Sequence, residues 1–161
     1  MSPKIDQFAF IGIDPGVSGG VCAIEGLGFT VCKCPDTVRD MAEVLMPYRE
    51  RKNALVAIES VHSMPGQGVA STFKFGKNFG EWLGILATLK IPYYLITPYK
   101  WMQFYGSYPK EKTLRKTHFK NLAQQRAPLL KVTLATADAI LIANQTKELY
   151  LSGGEIKDLE G

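Results

Sequence analysis

Short, nearly unbroken apolar runs alternate along this chain with longer segments of helical period. Residues 8–14 form one such run and end at Asp14, residues 54–59 form a second and end at Glu59, and residues 92–96 form a third. Compact runs of this length predict buried strands. Residues 21–25 and 29–34 follow the first run across the glycine-rich turns 15–20 and 26–28, which predicts a three-stranded antiparallel meander. Val38, Met41, Val44 and Leu45 recur at helical spacing behind Asp36 or Thr37 as N-cap, predicting a helix toward Arg51 that Pro47 bends or shortens. Helices are also predicted over 69–89, 110–126 and 136–149, with a short aromatic helix or turn over 98–106 and a polar tail over 152–161.

The resulting order, β-β-β-α-β-α-β-α-α, predicts an α/β fold with a central mixed five-stranded sheet flanked by helices. A chain of 161 residues corresponds to one domain, with its core over about 8–149. Gly76, Gly80 and Gly84 recur on one face of the 69–89 helix. Each costs about 1 kcal/mol against alanine, so close approach of a second helix, from this chain or from another subunit, is expected there.

Composition narrows the class. The 46% hydrophobic and 21% charged content is that of a soluble globular protein. No apolar run reaches the roughly 18 residues of a membrane span, and the first residues lack the apolar stretch of a secretory signal. A cytoplasmic or otherwise intracellular location is expected. The net charge of +4 tilts mildly toward polyanions. Cys22, Cys32 and Cys34, an odd set with only His62 and His118 as further soft ligands, read as reduced thiols packed as small hydrophobes.

The chemistry lies in three acids. Asp14, Glu59 and Asp138 each stand at the end or mouth of an apolar segment, where an unpaired carboxylate costs several kcal/mol. If the first and fourth strands are neighbours, Asp14 and Glu59 lie side by side. Asp138 then reaches them from the first turn of the last helix, where the helix dipole favours its charge. Converging carboxylates are hard oxygen ligands suited to Mg²⁺ or Mn²⁺, and this points to metal-assisted phosphodiester chemistry. Singly, each acid has a plainer explanation: turn chemistry for Asp14-Pro15-Gly16, a lysine partner for Glu59, a dipole partner for Asp138.

The ordered set resembles the RuvC family of Holliday junction resolvases within the ribonuclease H-like superfamily. The matching pieces are Ile11-Gly12-Ile13-Asp14-Pro15-Gly16-Val17-Ser18-Gly19-Gly20, Ala57-Ile58-Glu59-Ser60-Val61 and Ala137-Asp138-Ala139-Ile140-Leu141-Ile142-Ala143. Met64-Pro65-Gly66-Gln67-Gly68 and Pro98-Tyr99-Lys100-Trp101 look like the small phage and organelle-type branch. The resemblance implies a ribonuclease H-like fold and an endonuclease that resolves four-way DNA junctions as a homodimer, leaving 5′-phosphate and 3′-hydroxyl ends. It implies two Mg²⁺ ions per site, with Mn²⁺ as substitute; Asp14 would be shared between them, with Glu59 and Asp138 holding one side each. Lys112 falls where the family has a lysine near the scissile phosphate. The family's fourth acid is missing: Leu134 and Ala135 stand at its positions, and Thr136 offers a hydroxyl in its place.

Other residues have the character of DNA contacts. Phe73, Lys74 and Lys77 interleave an aromatic with basic groups, a pattern that suits stacking and phosphate neutralisation, whereas Phe75 and Phe79 are spaced to face the core. His62 follows the Glu59 strand, and Lys110 and Lys116 belong to a basic segment over 110–120. Three rivals stand beside this reading. The 14–20 hairpin also looks like that of actin-like kinases, but 161 residues leave no room for their second domain, so no nucleotide cofactor is expected. A nuclease acting on RNA or hybrids shares the acidic core, and a junction-binding protein with weak activity fits the missing acid.

Overall fold

The computed structural model describes residues 7–60, 66, 68–154, 156 and 159. Five strands, β1 (Ala9–Asp14), β2 (Gly20–Glu25), β3 (Gly28–Lys33), β4 (Ala54–Glu59) and β5 (Tyr93–Ile96), form one sheet in the order β3-β2-β1-β4-β5. β1, β2 and β3 pair antiparallel, and β4 joins β1, and β5 joins β4, in parallel. This is the mixed five-stranded sheet expected. β1 and β4 are central and covered on both faces, which is why they read as continuous apolar runs rather than alternating ones.

The period of two along each strand divides the core. Ala9, Ile11, Ile13, Val56 and Ile58 face α1 (Val38–Leu45) and α2 (Val69–Leu89), where Met41, Leu45, Trp82 and Leu86 close over them. Phe10, Leu55, Ala57, Tyr94 and Ile96 face α3 (Pro98–Phe104), α4 (Lys112–Arg126) and α5 (Leu134–Leu151), through Trp101, Phe119, Ala123 and the apolar run Ala139–Ala143. Asp14 and Glu59 have the same parity as Phe10 and Ala57, so their side chains leave the sheet on the α5 side.

Helix starts follow their caps. Thr37 Oγ1 accepts from the Asp40 amide, and the helix behind it stops at Leu45, where a 3₁₀ turn over Met46–Tyr48 contains Pro47. Glu111, not the stretch from Lys110, starts α4: its carboxylate accepts from the amides of Thr113 and Leu114 at 2.8 and 2.7 Å. A reciprocal pair between Thr133 and Thr136 starts α5 at Leu134, two residues ahead of the expected position. Asp138 therefore lies beyond the first turn, and the dipole argument made for it fails, since the effect is confined to that turn.

The cysteines are free, with Cys22 and Cys34 buried and Cys32 half-buried, as expected of packed thiols. Gly76, Gly80 and Gly84 have open space where a Cβ would stand; among the described residues no helix of this chain packs on them, contrary to the first of the two expected explanations. Among the described residues no helix is long and apolar enough to cross a membrane.

Candidate active site

The site begins with two glycines. A Cβ on Gly12 would lie 2.3 Å from the Ala139 carbonyl oxygen and 2.5 Å from the Ala143 amide, and one on Gly20 would lie 2.5 Å from the Ala135 carbonyl. Helix α5 thus rests directly on the backbone of β1 and β2, with alanines at the crossing. This close approach carries Asp138 to the mouth of the β1–β4 pair. In that pair Ile13 is opposite Ile58, so Asp14 and Glu59 leave adjoining strands side by side.

The three carboxylates sense one another. Burial, then the charges of Glu59 and Asp138, hold Asp14 well above the usual carboxylate range, against a smaller pull downward from Lys116. Burial pushes Glu59 up to about 7; the Trp101 hydrogen bond opposes this and Asp138 adds to it. Asp138 is raised by burial to about 6, against lowering by Lys116 and Arg115. Among the described residues none of the three makes a direct ion pair. Partly buried negative charge that neighbouring cations offset only at a distance is the condition that a bound cation relieves.

Two cavities flank Asp138. One, of about 430 Å³, is lined by Asp14, Ser18, Lys33, Lys116, Ala135 and Asp138 among others. The second, of about 160 Å³, is lined by Glu59, Trp101, Lys112, Arg115, Lys116 and Asp138 among others. Lys112 and Lys116, one helical turn apart on α4, both face the acids, and Lys116 borders both cavities. The packing of α4 on α5 sets this placement: Phe119 and Ala123 are buried in the seam, Arg126 pairs with Glu148 at 2.8 Å, and Asn144 donates to the same carboxylate at 2.7 Å.

The donor set fits a hard divalent cation in chemistry and charge: three carboxylates, with Lys116 and Arg115 at their edge. Among the described residues, however, no three acidic, histidine or cysteine side chains are drawn together tightly enough to make a ready-made cation site. Glu59 is turned to Trp101, whose Nε1–H donates to its Oε2 at 2.5 Å. Thr136, expected to offer a hydroxyl in place of a fourth acid, is buried and engaged with Thr133: its Oγ1 accepts from the Thr133 amide at 3.1 Å. Its hydroxyl is committed to the helix cap.

The remaining expected residues fall elsewhere. Phe73 is 72% exposed on α2, with Lys74 exposed beside it, and Lys77 pairs with Glu81 at 3.7 Å. Lys110 precedes α4 and lines neither cavity; its carbonyl accepts from Arg115 Nη1. His62 lies outside the described residues. Phe79 packs against the core, while Phe75 is half-buried with its ring against Gly16 rather than in the core. Trp101, Arg115, Lys33 and Asn78 were not singled out as site residues from sequence. For Trp101 a signal existed, because a buried indole N–H requires an acceptor; the others depend on packing that no local pattern reports.

Two solved structures share this architecture. Thermus thermophilus RuvC in complex with Holliday junction substrate superposes with a TM-score of 0.61 at 17% identity, over 91% of this chain and 97% of that one. A second Thermus thermophilus RuvC structure gives 0.59 at 20% identity over the same shares. The fold is that of RuvC. It is the ribonuclease H-like fold that the resemblance implied, built on the mixed sheet expected from the order of elements, and at these identities the likeness to RuvC extends to the fold alone. No protein-family model matches the chain, and no curated protein matches it in sequence.

Proposed function

We propose that this protein is a structure-selective endonuclease that resolves four-way DNA junctions by metal-dependent phosphodiester hydrolysis, leaving 5′-phosphate and 3′-hydroxyl ends. The observation that carries the reading is the meeting of Asp14, Glu59 and Asp138 at one end of the sheet, Glu59 buried and the two aspartates half-buried, without direct ion pairs and beside the lysines of α4. The complex of its structural neighbour RuvC with a Holliday junction substrate supports the choice of substrate.

Asp14, Glu59 and Asp138 are the proposed cation ligands. These three side chains would hold Mg²⁺ or Mn²⁺, two ions per site, and the ions would supply the polarised water and the charge that offsets the leaving oxygen. The Trp101 hydrogen bond favours the ionised form of Glu59 against the burial that opposes it. Lys112 and Lys116 approach the phosphate from the other side and offset charge as it develops on the phosphoryl oxygens. Phe73, Lys74, Lys77 and Lys110 form the wider DNA surface, with positive groups on phosphates and the exposed ring available to an unstacked base, and His62 is a further candidate contact from its place in the sequence. A junction has near two-fold symmetry, so a C₂ dimer would present one such site to each of two opposed strands. The open glycine face at 76, 80 and 84 is the surface we assign to the second copy.

A second reading has its own observation. The committed Thr136 hydroxyl and the absence of a tight acid cluster among the described residues favour a junction-binding protein of weak activity. Incubating the protein with a synthetic four-way junction, duplex DNA and an RNA–DNA hybrid, each with Mg²⁺ and with Mn²⁺, tests both. Paired cuts confined to the junction are expected. Cleavage of the hybrid alone would move the assignment to RNA, and tight junction binding without cuts would favour the second reading.

A further inference from the structure

Asp14 is held from the opposite face of the sheet as well. The turn that follows it runs through Gly16, whose φ of 103° is left-handed, and closes with the Gly19 amide donating to the Gly16 carbonyl at 3.0 Å. The β3 end is tied in by the Cys34 amide on the Gly19 carbonyl and by the Cys34 thiol on the Asp14 carbonyl. The tie from α2 is made by Asn78, 62 positions along the chain, whose Oδ1 accepts from the Gly16 amide at 2.7 Å. The Phe75 ring lies 3.4 Å from where a Gly16 Cβ would stand, so the turn is pressed against α2 as well as bonded to it. The Asn78 amide nitrogen in turn sits 4.0 Å from Met41 Sδ of α1.

We infer that Asn78 is a positioning residue for the cation site. By fixing the Gly16 amide it sets the direction in which the chain leaves Asp14, and so the carboxylate that we assign as a cation ligand; the inference rests on that assignment. Lys74 stands one helical turn before Asn78 on the same helix. The proposed DNA surface of α2 and the grip on the Asp14 turn therefore belong to one rigid element, and docking of DNA there bears directly on the ligand geometry.

The test compares the wild-type protein with Asn78→Leu, which removes the acceptor at similar size, and Asn78→Asp, which keeps it. Five quantities are read: hydrogen exchange at the Gly16 amide, Mn²⁺ affinity by calorimetry, junction affinity in Ca²⁺, single-turnover cleavage and the unfolding midpoint. Asn78→Leu is expected to speed Gly16 exchange about tenfold, to weaken Mn²⁺ binding, and to slow cleavage about ten- to a hundredfold. Its junction affinity and unfolding midpoint should stay at the wild-type level, and Asn78→Asp should restore Gly16 protection and Mn²⁺ binding. Wild-type Mn²⁺ affinity in a folded Asn78→Leu protein would overturn the inference, as would losses that merely follow a lowered unfolding midpoint. If Asn78→Leu fails to fold, Asn78→Ala is read against the same outcomes. Should the wild type cut no junction, the proposed function fails, while the Gly16 exchange and Mn²⁺ arms still decide the role of Asn78.

Discussion

The indole Nε1–H of Trp101 donates to Oε2 of Glu59, and both residues are buried, at 2% and 7% exposure. The bond favours the ionised carboxylate in a setting where burial alone favours the neutral acid. Phe119 packs edge-on against Trp101 with ring centroids 4.9 Å apart, fixing the indole. Trp101→Phe should therefore raise the Glu59 pKa further above about 7. The acid limb of the cleavage-rate profile should move to higher pH by roughly one unit, the size expected of a lost hydrogen bond to a charged group. An unmoved limb would separate Glu59 from the rate.

The raised acids make metal-free stability depend on pH in a defined direction. Glu59 titrates near 7 and Asp138 near 6 in the fold, and Asp14 is also raised. Between the unfolded and folded pKa values the native state holds more protons, so the contribution of these groups to stability is present at low pH and lost as pH rises through the folded values. Metal-free protein should melt at a higher temperature near pH 6 than near pH 8, and Mg²⁺ should recover stability at pH 8. Melting curves with EDTA and with Mg²⁺ at both values check this; a metal-free midpoint that climbs with pH contradicts it.

Gly12 and Gly80 make a matched pair of opposite sign. Gly12→Ala drives a Cβ into the α5 backbone and should destabilise the protein by about 1–3 kcal/mol or more, with cleavage lost as Asp138 shifts. Gly80→Ala meets open space and should stabilise the helix by up to ~1 kcal/mol. If the glycine face is the dimer contact, the same substitution should shift sedimentation toward monomer. Chemical denaturation together with analytical ultracentrifugation reads both effects.

Lys116 is the basic side chain bordering both cavities and lowers the pKa of Asp14 and Asp138. Lys116→Met should slow single-turnover cleavage by about ten- to a thousandfold, the range for losing one stabilising group. Lys74→Met should instead weaken junction binding and reduce its salt dependence by about one counterion, leaving the bound rate near wild type. Equal loss of rate in both variants would remove the distinction.

The parts legible in sequence were those written in local patterns. β4 and α2 fall at their expected limits because an apolar run and the turn signals that bound it are features of neighbouring residues. The pairing of Asp14 with Glu59 was conditional on the first and fourth strands being neighbours, which the sheet order supplies. Side-chain ties across long separations were illegible: the Asn78 bond spans 62 positions and the Trp101 bond 42. The start of α5 was misjudged because Thr133 and Thr136 cap each other without the usual acidic partner, which placed Asp138 a turn too early. The glycines of α2 keep period four, but the open space above them is not written in that period.

Cleavage of a synthetic four-way junction by wild type and by Asp14→Asn, scored beside junction binding in the same Mg²⁺ buffer, tests the three-carboxylate site most directly. Wild type should cut opposed strands, and Asp14→Asn should bind the junction while cutting at least about a thousandfold more slowly. Undiminished cutting by Asp14→Asn would contradict the account.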